Sequence, residues 1–81
     1  MRESILQFIN KELLSGRADV EVSEEDDLLG SGLVDSMGVM RLVAFLESAH
    51  QIKIPFEDLV IENFISVNAI SNYVKGRISG G

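Results

Sequence analysis

Apolar residues along the chain fall into three stretches of helical period joined by irregular segments. Ile5, Leu6, Ile9, Leu13 and Leu14 recur at spacings of three and four, with Glu3, Gln7, Lys11 and Glu12 between them. This predicts a first amphipathic helix, ended by Gly16. Met37, Met40, Val43 and Leu46 repeat the pattern and predict a second helix from about Ser36 to His50. Its further apolar residues, Val39, Leu42, Ala44, Phe45 and Ala49, exceed one stripe, so some should lie exposed. Val67, Ile70, Val74 and Ile78 predict a last helix, capped by Ser66 and with Lys75 and Arg77 near its negative end.

The connections differ in kind. Residues 17–35 form a long, acidic loop that includes Glu24-Glu25-Asp26-Asp27. Loops of such length are uncommon unless functional or pinned down. Val20, Val22, Leu28, Leu29 and Leu33 are the residues able to pin it, while the acids read as solvated surface. Ile52-Lys53-Ile54 alternates like a strand but has no partner, so it reads as an extended connector into Pro55. Residues 56–65 read as a turn or two of short, interrupted helix, and 79–81 as a frayed tail. The expected fold is therefore all-α, three longer helices and one short third helix in a single domain over 1–78. Val43, Leu46, Ile70 and Val74 are expected in its core.

Composition narrows the function classes. A chain of 81 residues has room for one domain and little for the deep polar cleft most enzymes build. A net charge of −6 opposes binding to nucleic acid or to an anionic membrane surface. There is no cysteine, hence no disulfide and no thiolate metal site, and no metal ligand set is expected. No apolar run approaches the ~18 residues of a membrane span, and no leader is recognised, so a cytoplasmic protein is expected.

Several motifs fail on inspection. Val34-Asp35-Ser36-Met37-Gly38 lacks the leading glycine and the preceding strand of a nucleophile elbow. His50, the single histidine, would stand about 21 Å from Ser36 along the same helix at 1.5 Å per residue. It reads as a helix-end residue facing the C-terminal dipole. Gly30-Ser31-Gly32 lacks the Gly-Lys-Ser/Thr ending of a phosphate loop, and Asp27–Gly38 lacks the ligands of a calcium loop. The terminal Gly80-Gly81 suggests a ubiquitin-type end, but the β-hairpin patterning of that fold is missing.

Asp35-Ser36 is what remains. Aspartate and serine are common N-caps, and Ser36 as a cap explains where the second helix begins. The start of a helix also offers free N–H groups and positive potential to a phosphate, so a serine hydroxyl there is suited to carrying one. Gly38 is harder to place, because glycine in a first turn costs about 1 kcal/mol relative to alanine.

Gly32-Leu33-Val34-Asp35-Ser36-Met37 resembles the attachment motif of acyl and peptidyl (aminoacyl) carrier proteins. The likeness runs from about residue 5 to 78: a long acidic loop with a Leu-rich end, a helix opening at the serine, Ile52-Lys53-Ile54-Pro55, and Glu62-Asn63-Phe64. It implies a four-helix carrier domain, standing alone and monomeric, that catalyses nothing itself. Ser36 would be esterified with 4′-phosphopantetheine taken from coenzyme A by a phosphopantetheinyl transferase. The arm's thiol would hold acyl or aminoacyl groups as thioesters between a loading ligase and downstream synthases or transferases.

By the same resemblance Asp35, Met37, Gly38, Met40 and Arg41 would form the surface that partners recognise. Gly38 would leave clearance for the arm or an enzyme, and Gly38→Ala would then stabilise the free chain by about 0.4–1 kcal/mol. Fatty-acid carriers usually show several acids on the second helix, whereas here it has Glu47 alone, with Arg41. Met37-Gly38 is closer to D-alanyl carriers and Glu62-Asn63-Phe64 to aminoacyl or peptidyl carriers. The expected pathway is thus fatty-acid-like, polyketide, nonribosomal or otherwise specialised biosynthesis, with a specialised route fitting better than general fatty-acid synthesis. The reading from another class is a small helical interaction module in which Ser36 is only the cap.

Overall fold

A computed structural model describes residues 1–14 and 22–79. The expectations for Gly16, Val20, Gly80 and Gly81 lie outside the described residues. The elements are α1 (Arg2–Phe8), running on into a π-helical turn (Ile9–Leu13), α2 (Ser36–His50), a 3-10 turn (Phe56–Asp58), α3 (Ile61–Phe64) and α4 (Val67–Ser79). No strand occurs among the described residues, so the chain has the all-α, four-helix architecture expected from its pattern. α4 extends to Ser79, one residue into the stretch expected to be tail.

The first helix departs from a simple stripe. Ile5 and Ile9 are fully buried, four residues apart, but the next buried leucine is Leu14 rather than Leu13. The π turn supplies the extra residue: Leu14 N–H donates to Ile9 C=O at 2.9 Å, an i→i+5 bond. Leu13 is thereby rotated to a half-buried position facing α2.

The core joins Ile5, Ile9 and Leu14 to Leu42, Val43 and Leu46 of α2, Phe64 of α3, and Val67, Ile70 and Val74 of α4. All four residues expected at its centre are there. Each such side chain contributes about 1.5–3 kcal/mol relative to its exposed state. Phe8 and Phe45 stack at 4.4 Å between α1 and α2.

The acidic loop is pinned by its apolar residues and by backbone bonds. Val22 and Leu28 are buried. Leu28 N–H donates to Ile65 C=O at 2.7 Å, Asn68 N–H to Glu24 C=O at 3.1 Å, and Val22 N–H to Asn10 Oδ1 at 3.0 Å. The acids themselves close local turns: Asp26 Oδ2 accepts from Ser23 N–H and Asp27 Oδ1 from Gly30 N–H. Gly32, at φ +81°, turns the chain into Leu33-Val34, and Val34 N–H returns to Leu28 C=O at 3.0 Å. This turn fixes where α2 begins.

At its other end α2 closes on Gln51 in the left-handed region, with φ 55°. His50 is the last helical residue, and its Nε2 is buried without a hydrogen-bond partner among the described residues. The connector is neither helix nor strand and ends on an extended Pro55, and Glu47 reaches across to accept from Ile54 N–H at 2.8 Å. Ser66 Oγ accepts from Ala69 N–H at 3.1 Å, so it caps α4 as predicted.

Candidate functional site at the start of the second helix

Asp35, not Ser36, caps α2. Asp35 is extended, at φ −99° and ψ −173°, and its Oδ1 accepts from Gly38 N–H at 2.8 Å. The expectation that Ser36 is the cap is corrected: it is the first helical residue and is exposed. An N-cap residue must stand outside the helix to aim its side chain back at the first turn, and Asp35 already does so. Ser36 Oγ makes no hydrogen bond among the described residues, and the N–H groups of Ser36 and Met37 also lack partners there. The site thus combines a free primary hydroxyl with unpaired amides at the positive end of a 15-residue helix. That is a fit for a phosphodiester on Ser36.

Ser36 lines the larger of two grooves that meet at the start of α2. One, of about 590 Å³, runs between α2 and the 59–64 segment and is walled by Leu29, Val39, Met40, Leu59, Ile61 and Phe64. The other, of about 450 Å³, lies toward the end of the first helix and is bordered by Leu13, Leu33, Met37 and Arg41. Asp35 borders both.

The five candidate recognition residues separate into two groups. Asp35, Met37, Met40 and Arg41 are exposed, with Met37 at 77%. Gly38 is buried at the floor of the second groove, so it presents little surface to a partner. A Cβ on it would lie 2.9 Å from Val34 Cγ1, inside van der Waals contact. The clearance expected toward an arm or an enzyme is in fact required by the chain's own Val34. Arg41 leans on the end of the first helix, its Nη1 3.4 Å from Glu12 C=O and its Nη2 3.8 Å from Glu12 Oε1.

The 59–64 wall was not singled out from the sequence. Val60 and Ile61 are exposed, and they line the groove from the side opposite Met40. The signal was present as the apolar run Leu59-Val60-Ile61 in a segment too short to bury all of it. Behind this wall Tyr73 of α4 donates its hydroxyl to Asp58 Oδ2 at 2.5 Å. Partial burial, then that hydrogen bond and the Asp58 charge, push the Tyr73 phenol up to about 12, with Arg77 opposing.

Fold and site together describe a small helical domain with an exposed serine at the start of its second helix. The family described as "Phosphopantetheine attachment site" matches residues 11–74. The chain belongs to this phosphopantetheine-binding family of carrier proteins. Members carry a 4′-phosphopantetheine prosthetic group and are not themselves enzymes.

Relatives include a D-alanyl carrier protein of Streptococcus uberis, 35% identical over 70% of this chain and 72% of its own length. Another, from Streptococcus suis, is 33% identical over 86% of this chain and 85% of its own. Among solved structures, a chain in one titled "Crystal structure of FAD-dependent dehydrogenase" superposes with a TM-score of 0.76 at 30% identity. That match covers 85% of this chain and 96% of the other. Family membership sets aside the bare interaction module as an account of the domain.

Proposed function

We propose that Ser36 bears the prosthetic group and that the chain carries amino acids or other small acyl groups. When bound, the group supplies a terminal thiol on a flexible arm, on which cargo rides as a thioester. The residues of this chain do the rest. Asp35 holds the first turn through Gly38 N–H, which leaves the Ser36 hydroxyl without a structural duty. The amides of Ser36 and Met37 and the helix dipole stabilise the phosphate. The groove walled by Met40 and Ile61 gives the arm an apolar bed beside its anchor.

The observation that carries the reading is the division of labour between Asp35 and Ser36. A serine exposed at the edge of an apolar groove, and not used as the cap, is available for modification. For the cargo, support comes from the 33–35% identity to D-alanyl carriers. The surface around Ser36 agrees, since it offers Met37, Met40 and Arg41 rather than a row of acids. The loading enzyme would be a ligase that activates the amino acid, and the domain would work in the cytoplasm, where coenzyme A is available. General fatty-acid synthesis is not proposed.

A second reading concerns the downstream partner. The likeness at 30% identity to a chain in a structure titled for an FAD-dependent dehydrogenase supports a flavoenzyme that oxidises the carried group.

Intact-mass measurement after incubation with coenzyme A and a broad phosphopantetheinyl transferase tests the attachment. One adduct is expected on the wild type and none on Ser36→Ala. A wild-type chain that gains no mass, or a Ser36→Ala chain that gains the same mass, overturns the assignment. Aminoacyl and fatty-acyl loading of the modified chain then separates the cargo classes.

A further inference from the structure

The groove beside Ser36 has one strong wall and one weak one. α2 supplies the first, continuous over 15 residues and buried along Leu42, Val43 and Leu46. The second is the 59–64 segment, which contains only a four-residue helix. A helix so short has no stability of its own. Its backbone bonds are local: Asp58 N–H to Pro55 C=O, Leu59 N–H to Phe56 C=O, Val60 N–H to Asp58 C=O, and Asn63 N–H to Val60 C=O. Asn63 Nδ2 likewise bonds to Asp58 C=O at 2.9 Å. These fix the shape of the segment, not its place against α2.

Its place comes from Leu59 packed against the core, from the Leu28 N–H bond to the adjoining Ile65 C=O, and from two contacts with α4. Phe64 is buried in the core and meets the Tyr73 ring at 5.9 Å. Among the described residues, the hydrogen bond that ties residues 55–64 to another element through side chains is Tyr73 Oη to Asp58 Oδ2. Asp58 is also the residue on which Asn63 and Val60 converge through its carbonyl.

We infer that Tyr73 is a positioning residue for the site: by holding Asp58 from α4, it sets where the Leu59–Phe64 wall stands and so the width of the groove beside Ser36. This rests on the groove being the bed of the arm, as proposed above. Tyr73 is not itself part of the groove lining: its ring meets one lining residue, Phe64, and its hydroxyl acts through Asp58. The hydrogen bond is the part that positions; the ring, packed on Phe64, is the part that stabilises.

Tyr73→Phe separates the two, because it keeps the ring and removes the hydroxyl. Amide hydrogen exchange on the unmodified chain should show protection at Leu59, Val60 and Asn63 falling about tenfold, the effect of one lost hydrogen bond to a charged acceptor. Amides in the middle of α2 and α4 should keep their protection. With the phosphopantetheinyl transferase, KM for the variant should rise several-fold with kcat unchanged. Asp58→Ala should reproduce both effects, while Asp58→Asn, which keeps a neutral acceptor oxygen, should restore part of each.

Unchanged protection at the three amides overturns the inference. So does an equal loss across all helices, which would make the hydroxyl merely structural. A wild-type chain that is never modified would instead count against the reading of Ser36, while the exchange data would still decide whether Tyr73 places the wall.

Discussion

Replacing Gly38 with alanine sets two opposing effects against each other, and the geometry decides between them. Gly38 has ordinary helical backbone, since the described positive-φ residues are Gln51 and Gly32. An alanine there gains about 1 kcal/mol of helix propensity. Its Cβ, however, would stand 2.9 Å from Val34 Cγ1, 3.4 Å from Asp35 Oδ1 and 3.8 Å from Leu13 Cδ1. Val34 is 4% exposed and β-branched, so it has little freedom to swing aside. Overpacking of this kind costs about 1–3 kcal/mol. Crowding Asp35 Oδ1 also puts at risk part of a cap worth about 0.5–2 kcal/mol.

The balance is a net loss of about 1 kcal/mol, or roughly 4–8 °C in Tm for a domain of this size. Thermal denaturation of wild type, Gly38→Ala, Val34→Ala and the double variant measures it. Val34→Ala loses buried methyls but opens the space the new Cβ needs. The double variant should therefore be about 1 kcal/mol more stable than the sum of the singles. A Gly38→Ala chain that melts above wild type, or a cycle additive within about 0.5 kcal/mol, refutes the argument.

Three further outcomes are expected. Ser36→Ala should change stability by less than about 0.5 kcal/mol, whereas Asp35→Ala should lose about 0.5–2 kcal/mol in denaturant melts, because only the latter removes the cap. Arg41→Glu should leave stability within about 1 kcal/mol, its contact with Glu12 being exposed, yet alter the rate of enzymatic loading at low salt more than at high. Tyr73 is the single tyrosine in a chain without tryptophan, so ultraviolet absorbance reads it alone. It should ionise near pH 12 rather than 10, and since its folded pKa is raised, the associated stability is complete below pH 10 and lost between 10 and 12.

The helices were legible because their apolar residues carry a period, and the connector because Pro55 allows little else. What the period could not reveal was the π turn. Ile9, Leu13 and Leu14 fit an α-helical stripe equally well, and only the packing of Leu14 into the core selects the i→i+5 bond. The cap was ambiguous for a related reason. Asp35 and Ser36 are both good caps, and the choice depends on the Gly32 turn and the return of Val34 N–H to Leu28. Gly38 was misread because the neighbour that needs its space, Val34, lies four residues back, where a loop's side chain cannot be placed by periodicity. The bond between Tyr73 and Asp58 joins residues fifteen apart in elements of different kind, and no local rule pairs them.

The same internal pairings bear on how a partner would meet this chain. α2 carries two side chains able to set the sign of a partner, Glu47 and Arg41. Glu47 is turned inward onto Ile54 N–H, and Arg41 leans onto Glu12. The exposed residues left along the helix are Ser36, Met37, Met40, Ala44, Ser48 and Ala49. Across the groove, Ile61 is 64% exposed, and in the 3-10 turn that precedes this wall Phe56 is 87% exposed. On the proposed reading, a partner that reaches Ser36 gains affinity chiefly by covering methionine and isoleucine, not by pairing charges. Unbranched methionines adapt to differently shaped surfaces, which suits a domain that must fit several enzymes in turn. The net charge of −6 then acts at longer range, on the rate of encounter, while the apolar rim governs how long each encounter lasts.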